Sequence, residues 1–368
     1  MNMAFDHSLN ATLPCLVETV RADDAKGREG WTDYVNGHDA ATAFHRLEWI
    51  DAISEATCHE SVLLIARDAT GVAIRGILPC HLIHSSLFGR ALVSCGFAVD
   101  GGVLADDDVA AEALTDAMWQ IAEQRSCPTA ELRGGLMPAQ PEWHYNSESY
   151  LGFVRDLAAD DEAELLAIPR KQRAEVRKAL KLQEAGDLSV ETGASERDRD
   201  WHYRVYSESV RNLGTPVFPH ALFSSVLDHF GEDADILTVL HQGEPVASVL
   251  SIYHRGTVMP YWGGGVWQAR QLRANDLMYY ALMNHAREQG CSRFDFGRSK
   301  TGTGAAAFKK NWGFEGQPLH YATRTADGAV PRDVNPLSPK YQARIRLWQK
   351  LPLSVANRLG PLIAKGLG

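Results

Sequence analysis

Two stretches of the chain carry the same succession of hydrophobic and polar patterns. In the first, a short strand near residues 16–19 precedes a helix that holds Glu48, Trp49, Ile50 and Ile53. Residues 61–67 (SVLLIAR) are apolar and rich in β-branched side chains, which predicts a strand. A turn at 68–71 leads into a second strand over 72–83, where Pro79 points to an edge position or a bulge. Residues 91–94 continue the sheet and 97–102 form a loop. The acidic run 106–108 caps a helix over 109–125, because carboxylates suit the positive end of a helix dipole. Residues 129–133 (TAELR) close this half as a strand.

The second stretch repeats that order. Helices are expected near 201–211 and 218–230, and strands over 235–240, 246–253 and 257–262. The three glycines 263–265 break regular structure. Asn275 or Asp276 caps a helix reaching Gln289, with Met278, Ala281, Leu282 and Ala286 on one stripe, and Gly290 stops it. A strand over 292–297, a short helix ending at Gly313 and a last strand over 319–324 follow. Meander strands followed by a strand–helix–strand unit predict an α/β chain with one mixed, mostly antiparallel sheet per half, flanked by helices. The expected units are residues 1–159, a basic helical connector 160–186, a second domain 187–333 and a tail 334–368.

Composition adds boundaries. A length of 368 residues suits two domains, and 45% apolar with 23% charged residues is ordinary for a globular chain. The N-terminus has no basic segment followed by an apolar core, and no run of about 18 apolar residues occurs, so neither a signal peptide nor a membrane span is expected. Cys15, Cys58, Cys80, Cys95, Cys127 and Cys291 form no C-x-x-C pair, which fits reduced thiols in a cytoplasmic protein with no metal site. At a formal charge of −9, any phosphate site must be a local basic patch, and DNA is not an expected partner.

Three stretches carry chemistry. Residues 170–181 (RKQRAEVRKALK) hold six cations and one acid; Arg170, Arg173 and Arg177 share a helix face, with Lys171, Lys178 and Lys181 to its other side. Arginine forks suit phosphate, although a run of charge is also what a solvated helix face looks like. Tyr261, Trp262 and Gly263 open a YWGGG strand end whose glycines let a ligand approach the backbone. Residues 293–314 place Asp295 opposite Phe294 and Phe296 across a strand, and then a glycine-loosened turn through Arg298 and Ser299 into a helix. Phe308 and Trp312 should face inward there, which projects Lys309 or Lys310 towards the sheet edge. GRSKTGT is not a phosphate-binding P-loop, because Thr303 occupies the lysine position.

The run from YWGGG through NDLMYYALMNHAREQG (275–290) to FDFGRSKTGTGAAAFKKNWGF (294–314) resembles the Fem-type (FemAB-like) transferases of the GNAT superfamily. It is most similar to the subgroup found with PEP-CTERM and exopolysaccharide systems. LFGRALVSCGFAVDGGVL (87–104) and the basic helix extend the resemblance over roughly residues 40–360. The resemblance implies two tandem GNAT-like domains and transfer of an acyl or aminoacyl group to an amine of a cell-envelope or exopolysaccharide precursor. It implies that Lys309 stabilises the developing oxyanion. Asp295 and Tyr261 take the positions of polar groups that handle a proton or orient the amine. Arg170, Lys171, Arg173, Arg177, Trp262, Gly263, Arg298 and Ser299 fall where substrate, phosphate-bearing or lipid-linked, would be held. The segment 267–276 has no glycine where GNAT acetyltransferases carry the Q/R-x-x-G-x-G/A loop for CoA, and no coiled-coil arm for tRNA is present. The donor therefore stays open between acyl-CoA and aminoacyl-tRNA, with no permanently bound cofactor expected.

Residues 337–368 carry six basic residues and no acid, interleaved with apolar ones. This pattern suits a basic amphipathic helix pair that docks peripherally on the inner membrane face, or one packed on its own domain. Two other functions stay open at this point: a non-catalytic module for a lipid-linked sugar phosphate, and an acyl-CoA-dependent small-molecule N-acyltransferase.

Overall fold

The computed structural model describes residues 15–85, 87–329 and 339–368, the last stretch by backbone alone up to residue 342. The expectation of no signal segment rests largely on residues 1–14 and the boundary at 333 on residues 330–338; both fall outside the described residues. The first half runs β1 (Leu16–Val20), α1 (Ala25–Gly37), α2 (Leu47–Thr57), β2 (Glu60–Arg67), β3 (Ile74–Ser85), β4 (Gly89–Ser94), β5 (Leu104–Ala105), α3 (Asp108–Gln124), β6 (Thr129–Arg133) and β7 (His144–Asn146). Next come β8 (Tyr150–Asp156), α4 (Asp161–Ala167), α5 (Arg170–Glu184), β9 (Leu188–Gly193), α6 (Glu196–Leu213), α7 (His220–Phe230), β10 (Ala234–His241), β11 (Glu244–His254) and β12 (Thr257–Gly265). The chain ends with α8 (Ala269–Leu272), α9 (Ala274–Glu288), β13 (Arg293–Lys300), α10 (Gly304–Asn311), β14 (Gly316–Pro318), β15 (Tyr321–Thr325), α11 (Pro339–Gln349) and α12 (Leu353–Ala364).

The strands form two mixed sheets, ordered β1-β2-β3-β4-β6-β15-β7, with β5 beside β3, and β14-β8-β13-β12-β11-β10-β9. The halves exchange a strand. β8 lies before the boundary expected at residue 159 yet enters the second sheet between β13 and β14. β15, the expected last strand of the second half, enters the first sheet between β6 and β7. That boundary therefore does not separate the sheets. The crossing strands supply antiparallel partners to the edges of β6 and β13, whose backbone groups would otherwise lack hydrogen bonds.

On their other edges β6 and β13 are barely paired. β4 meets β6 in parallel only at Leu92–Ala130 and Val93–Glu131, and β12 meets β13 only at Thr257–Arg293 and Val258–Phe294. Each sheet thus has a wedge at its centre.

Three apolar clusters hold the layers together. α3 packs Leu114 and Met118 onto the outer face of the first sheet. α9 packs Leu277, Met278, Leu282 and Met283 onto the outer face of the second. Between the sheets, α2 and α7 share one core to which both halves contribute. There Trp49 stacks on Trp262 at 5.8 Å between ring centroids, with Phe223 edge-on to Trp262 at 5.1 Å. Ring pairs of this kind add to the burial of their large apolar surfaces.

Three local expectations need correction. Pro79 stands inside the sheet, where β3 changes partner: β5 pairs through Ile77 and β4 from Cys80, so the missing N–H falls between ladders. The glycines 263–265 do not end β12; they pair with Val249, Ser248 and Ala247 of β11. α9 starts at Ala274 after a left-handed residue, Arg273 (φ 56°), because the short helix α8 intervenes, so neither Asn275 nor Asp276 is its cap. The inner side of the tail packs on its own domain, one of the two arrangements its pattern allows: α11 and α12 lie on α6, and the Lys365 carbonyl meets His59 Nε2 at 2.8 Å.

Candidate functional site

The second sheet, around its wedge, gathers Asp295, Lys309, Arg298, Ser299 and Gly263 of the singled-out groups. Along β13, Phe294 and Phe296 turn into the core and Asp295 to the opposite face, half-buried. The register against β8 breaks between Asp295 and Arg298, with Gly297 at φ 65°. A side chain would be strained at that angle, so glycine lets the strand bulge. The Asp295 carboxylate accepts from the Gly297 N–H at 2.7 Å, and the Gly297 and Arg298 carbonyls turn towards α10.

α10 begins at the Thr303 cap, whose hydroxyl accepts from Ala306 N–H and donates to the Lys300 carbonyl at 2.7 Å. Trp312 is fully buried and Phe308 partly so, as their spacing predicts, and this aims Lys309 inward while Lys310 stays exposed. The Lys309 ammonium donates to Gly297 O at 3.1 Å and Arg298 O at 2.9 Å, and lies 5.4 Å from the Phe153 ring centroid. An ammonium has three donors, and the third has no acceptor among the described residues. Burial pulls the Lys309 pKa down to about 8, against the opposing field of Asp295 and with help from Arg298. Burial pushes Asp295 up to about 6, against the Gly297 N–H and Lys309, with Asp100 of the first half adding to the rise.

The other expected residues divide. Arg298 is half-buried, donates to the Tyr321 hydroxyl at 3.0 Å and lies over the Tyr150 ring at 4.8 Å. Ser299 is buried with an unpartnered hydroxyl. Gly263 lines the unpaired edge of β12. Tyr261 lies where β12 gains a residue against β11, but its hydroxyl donates to the Phe97 carbonyl at 2.6 Å, and burial raises its pKa far out of reach. Trp262 is only 5% exposed and belongs to the core between the halves. The sequence assigns Tyr261 to proton handling or amine orientation and Trp262 to substrate binding, because the half that covers both rings is remote in the chain.

α5 presents its basic face outward. Val176 and Ala179 are buried against α9 and β9. Glu175 binds Lys178 at 2.7 Å and also Arg273. Arg170, Arg173, Arg177, Lys178 and Lys181 line an open concavity of about 380 Å³. Lys178 and Lys181 thus join the three arginines instead of lying to their other side, while Lys171 is not among the lining residues. Pro169, just before α5, packs against Gly313 just past α10.

Three nearby groups escaped the sequence. Tyr279 of α9 packs its ring on Phe296 (4.8 Å) and Phe308 (5.7 Å), so it bridges α9 to β13 and α10. Burial raises its pKa to about 12. Asp276 accepts from Gln172 Nε2 at 2.5 Å. Asp100 reaches the second half's field only through the packing of the halves. The sequence marks Asp276 only as a helix-cap candidate, and no local pattern marks Tyr279 or Asp100, since these contacts of all three lie distant in sequence. Among the described residues, no group of three or more His, Cys, Asp or Glu could hold a metal ion, and no helix is long and apolar enough to cross a membrane.

Residues 170–310 match the acetyltransferase (GNAT) domain family. The whole fold is similar to the crystal structure of FemX, with a TM-score of 0.61 and 14% identity over 83% of this chain and 96% of that one. A tandem GNAT protein from the clavulanic acid biosynthesis pathway gives a TM-score of 0.55 at 12% identity, covering 86% of this chain and all (100%) of that one. The C-terminal domain of a protein named as a lysylphosphatidylglycerol synthetase from Agrobacterium fabrum gives 0.52 at 15% identity, over 82% and 93% of the two chains. No curated protein matches the sequence. The chain thus has a tandem GNAT-like fold, and the stretch similar to the acetyltransferase (GNAT) domain family runs from α5 to α10.

Proposed function

We propose that the second half transfers an acyl or aminoacyl group to an amine, with Lys309 stabilising the oxyanion and Asp295 accepting the amine proton. The observation that carries this is the Lys309 ammonium: two of its N–H groups are fixed by backbone carbonyls at the bulge of β13, and the third has no acceptor among the described residues. A donor held before the reaction starts needs no reorganisation when charge develops on the carbonyl oxygen. The amine nitrogen attacks the acyl carbonyl and its proton passes to the Asp295 carboxylate. The tetrahedral oxyanion collapses with loss of the ester or thioester leaving group, which takes up the proton. The basic face of α5 would hold a phosphate-bearing donor or acceptor. The cell-envelope or exopolysaccharide amine, the PEP-CTERM setting and a cytoplasmic reaction belong to this proposal through the resemblance.

The test is incubation with aminoacyl-tRNA and acyl-CoA pools in separate arms, with amine products read by mass spectrometry. Lys309→Ala should lower product formation by about 10²–10³-fold, the usual worth of one oxyanion donor, with an unchanged melting midpoint. Product formation equal to wild type would remove Lys309 from the reaction. A non-catalytic module would instead lose ligand binding in Arg173→Ala and form no product in either arm.

A further inference from the structure

We propose that α11 and α12 form a docking surface for an anionic lipid bilayer, independently of the reaction assigned above. The inward side of α12 is small: Ala356, Gly360 and Ala364 are all buried. A Cβ at Gly360 would stand 3.0 Å from the Val217 backbone nitrogen, so this helix sits hard against the body. Asn357 Nδ2 donates to Ser207 Oγ at 3.2 Å, and Gln349 Nε2 at the end of α11 donates to the Asn212 carbonyl at 3.0 Å. These contacts fix which faces look outward.

The outward side is apolar where packing does not require it. Val355, Leu359 and Leu362, spaced i, i+4, i+7, are 39%, 43% and 74% exposed, and Leu347 of α11 is 67% exposed. Arg346, Lys350 and Arg358 are exposed beside them and have no ion-pair partner among the described residues. The segment 337–368 holds six cations and no acid in a chain whose net charge is −9. Such a chain is repelled by an anionic surface unless its cations are gathered on one face. Here they flank an aliphatic stripe, so their stems can lie along acyl chains while their charged ends meet lipid phosphates.

The test uses the full chain with phosphatidylcholine vesicles, with and without phosphatidylglycerol, read by co-sedimentation. Wild type should pellet with the anionic vesicles only, and less as salt rises. Leu359→Glu/Leu362→Glu and, separately, Lys350→Glu/Arg358→Glu should each lower the bound fraction about tenfold. All four side chains face outward, so the melting midpoints should match wild type and report that the fold is kept. Wild type remaining in the supernatant with anionic vesicles would overturn the proposal. So would either double variant pelleting as wild type does, or capture of an acidic protein in place of the vesicles.

Discussion

The wedges of the two sheets arise from the same strand order and end opposite in character. In the first, the chain fills its own gap: residues 95–98 and 101–105 are buried, and the Arg133 guanidinium donates to the Ala98 carbonyl at 3.1 Å. Gly102 sits so close to Gly134 that a Cβ would lie 1.8 Å from its carbonyl oxygen. In the second, the edges of β12 and β13 stay half-exposed, and a Cβ at Gly297 would meet nothing within 4 Å. Two residues past the first parallel pair, the first sheet carries the fully buried Leu132 and the second carries Asp295. No helix follows β6 before β7, whereas α10 follows β13 and delivers Lys309. A wedge is therefore a property of the scaffold. The first is closed by apolar side chains and glycine around one buried guanidinium, which Glu131 and the Ala98 carbonyl satisfy; in the second, a carboxylate and an ammonium would be sealed in only at a large desolvation cost, and the wedge stays open.

Exchanging the contents of the wedges should expose this difference. Leu132→Asp puts an unpaired carboxylate into a sealed core and removes a buried aliphatic side chain. It should cost about 4 kcal/mol or more in urea unfolding. Asp295→Asn, on a half-open face, should move the urea midpoint little. Comparable losses in both variants would mean that the wedges are equally closed. A smaller effect separates the glycines. Gly102→Ala has only backbone to push against and should cost about 3 kcal/mol. Gly297→Ala meets open space and bears only the left-handed backbone penalty, about 1 kcal/mol.

How much of this was legible follows from how local each feature is. α3, with its acidic start, and the ladder of β10 and β11 were readable because cap chemistry and apolar runs are written in adjacent residues. The spacing of Phe308 and Trp312 narrowed the inward cation to Lys309 or Lys310, and only the family resemblance chose Lys309. The exchanged strand β8 was not: of YLGFVRD only Phe153 is buried, and nothing in seven residues says which sheet they join. Tyr261 and Trp262 misled for the same reason, since Phe97, Trp49 and Phe223 bury them from outside their own strand.

The mildest way to sharpen the comparison is to titrate the open wedge. The neutral form of Asp295 is favoured until about pH 6, and the cationic form of Lys309 persists to about pH 8. If Asp295 takes the amine proton it must be ionised, so kcat/KM should fall tenfold per unit below about 6. If Lys309 holds the oxyanion it must be charged, so the rate should fall again above about 8. The two limbs belong to the coupled pair. Asp295→Asn should erase the acid limb and move the alkaline limb to lower pH, because the Asp295 charge is what holds Lys309 up against burial. Lys309→Arg should leave the acid limb and remove the alkaline one, since a guanidinium stays protonated throughout. An alkaline limb that stays in place when the Asp295 charge is removed would show that the groups do not share one field, and the second wedge would then be open space rather than a reaction centre.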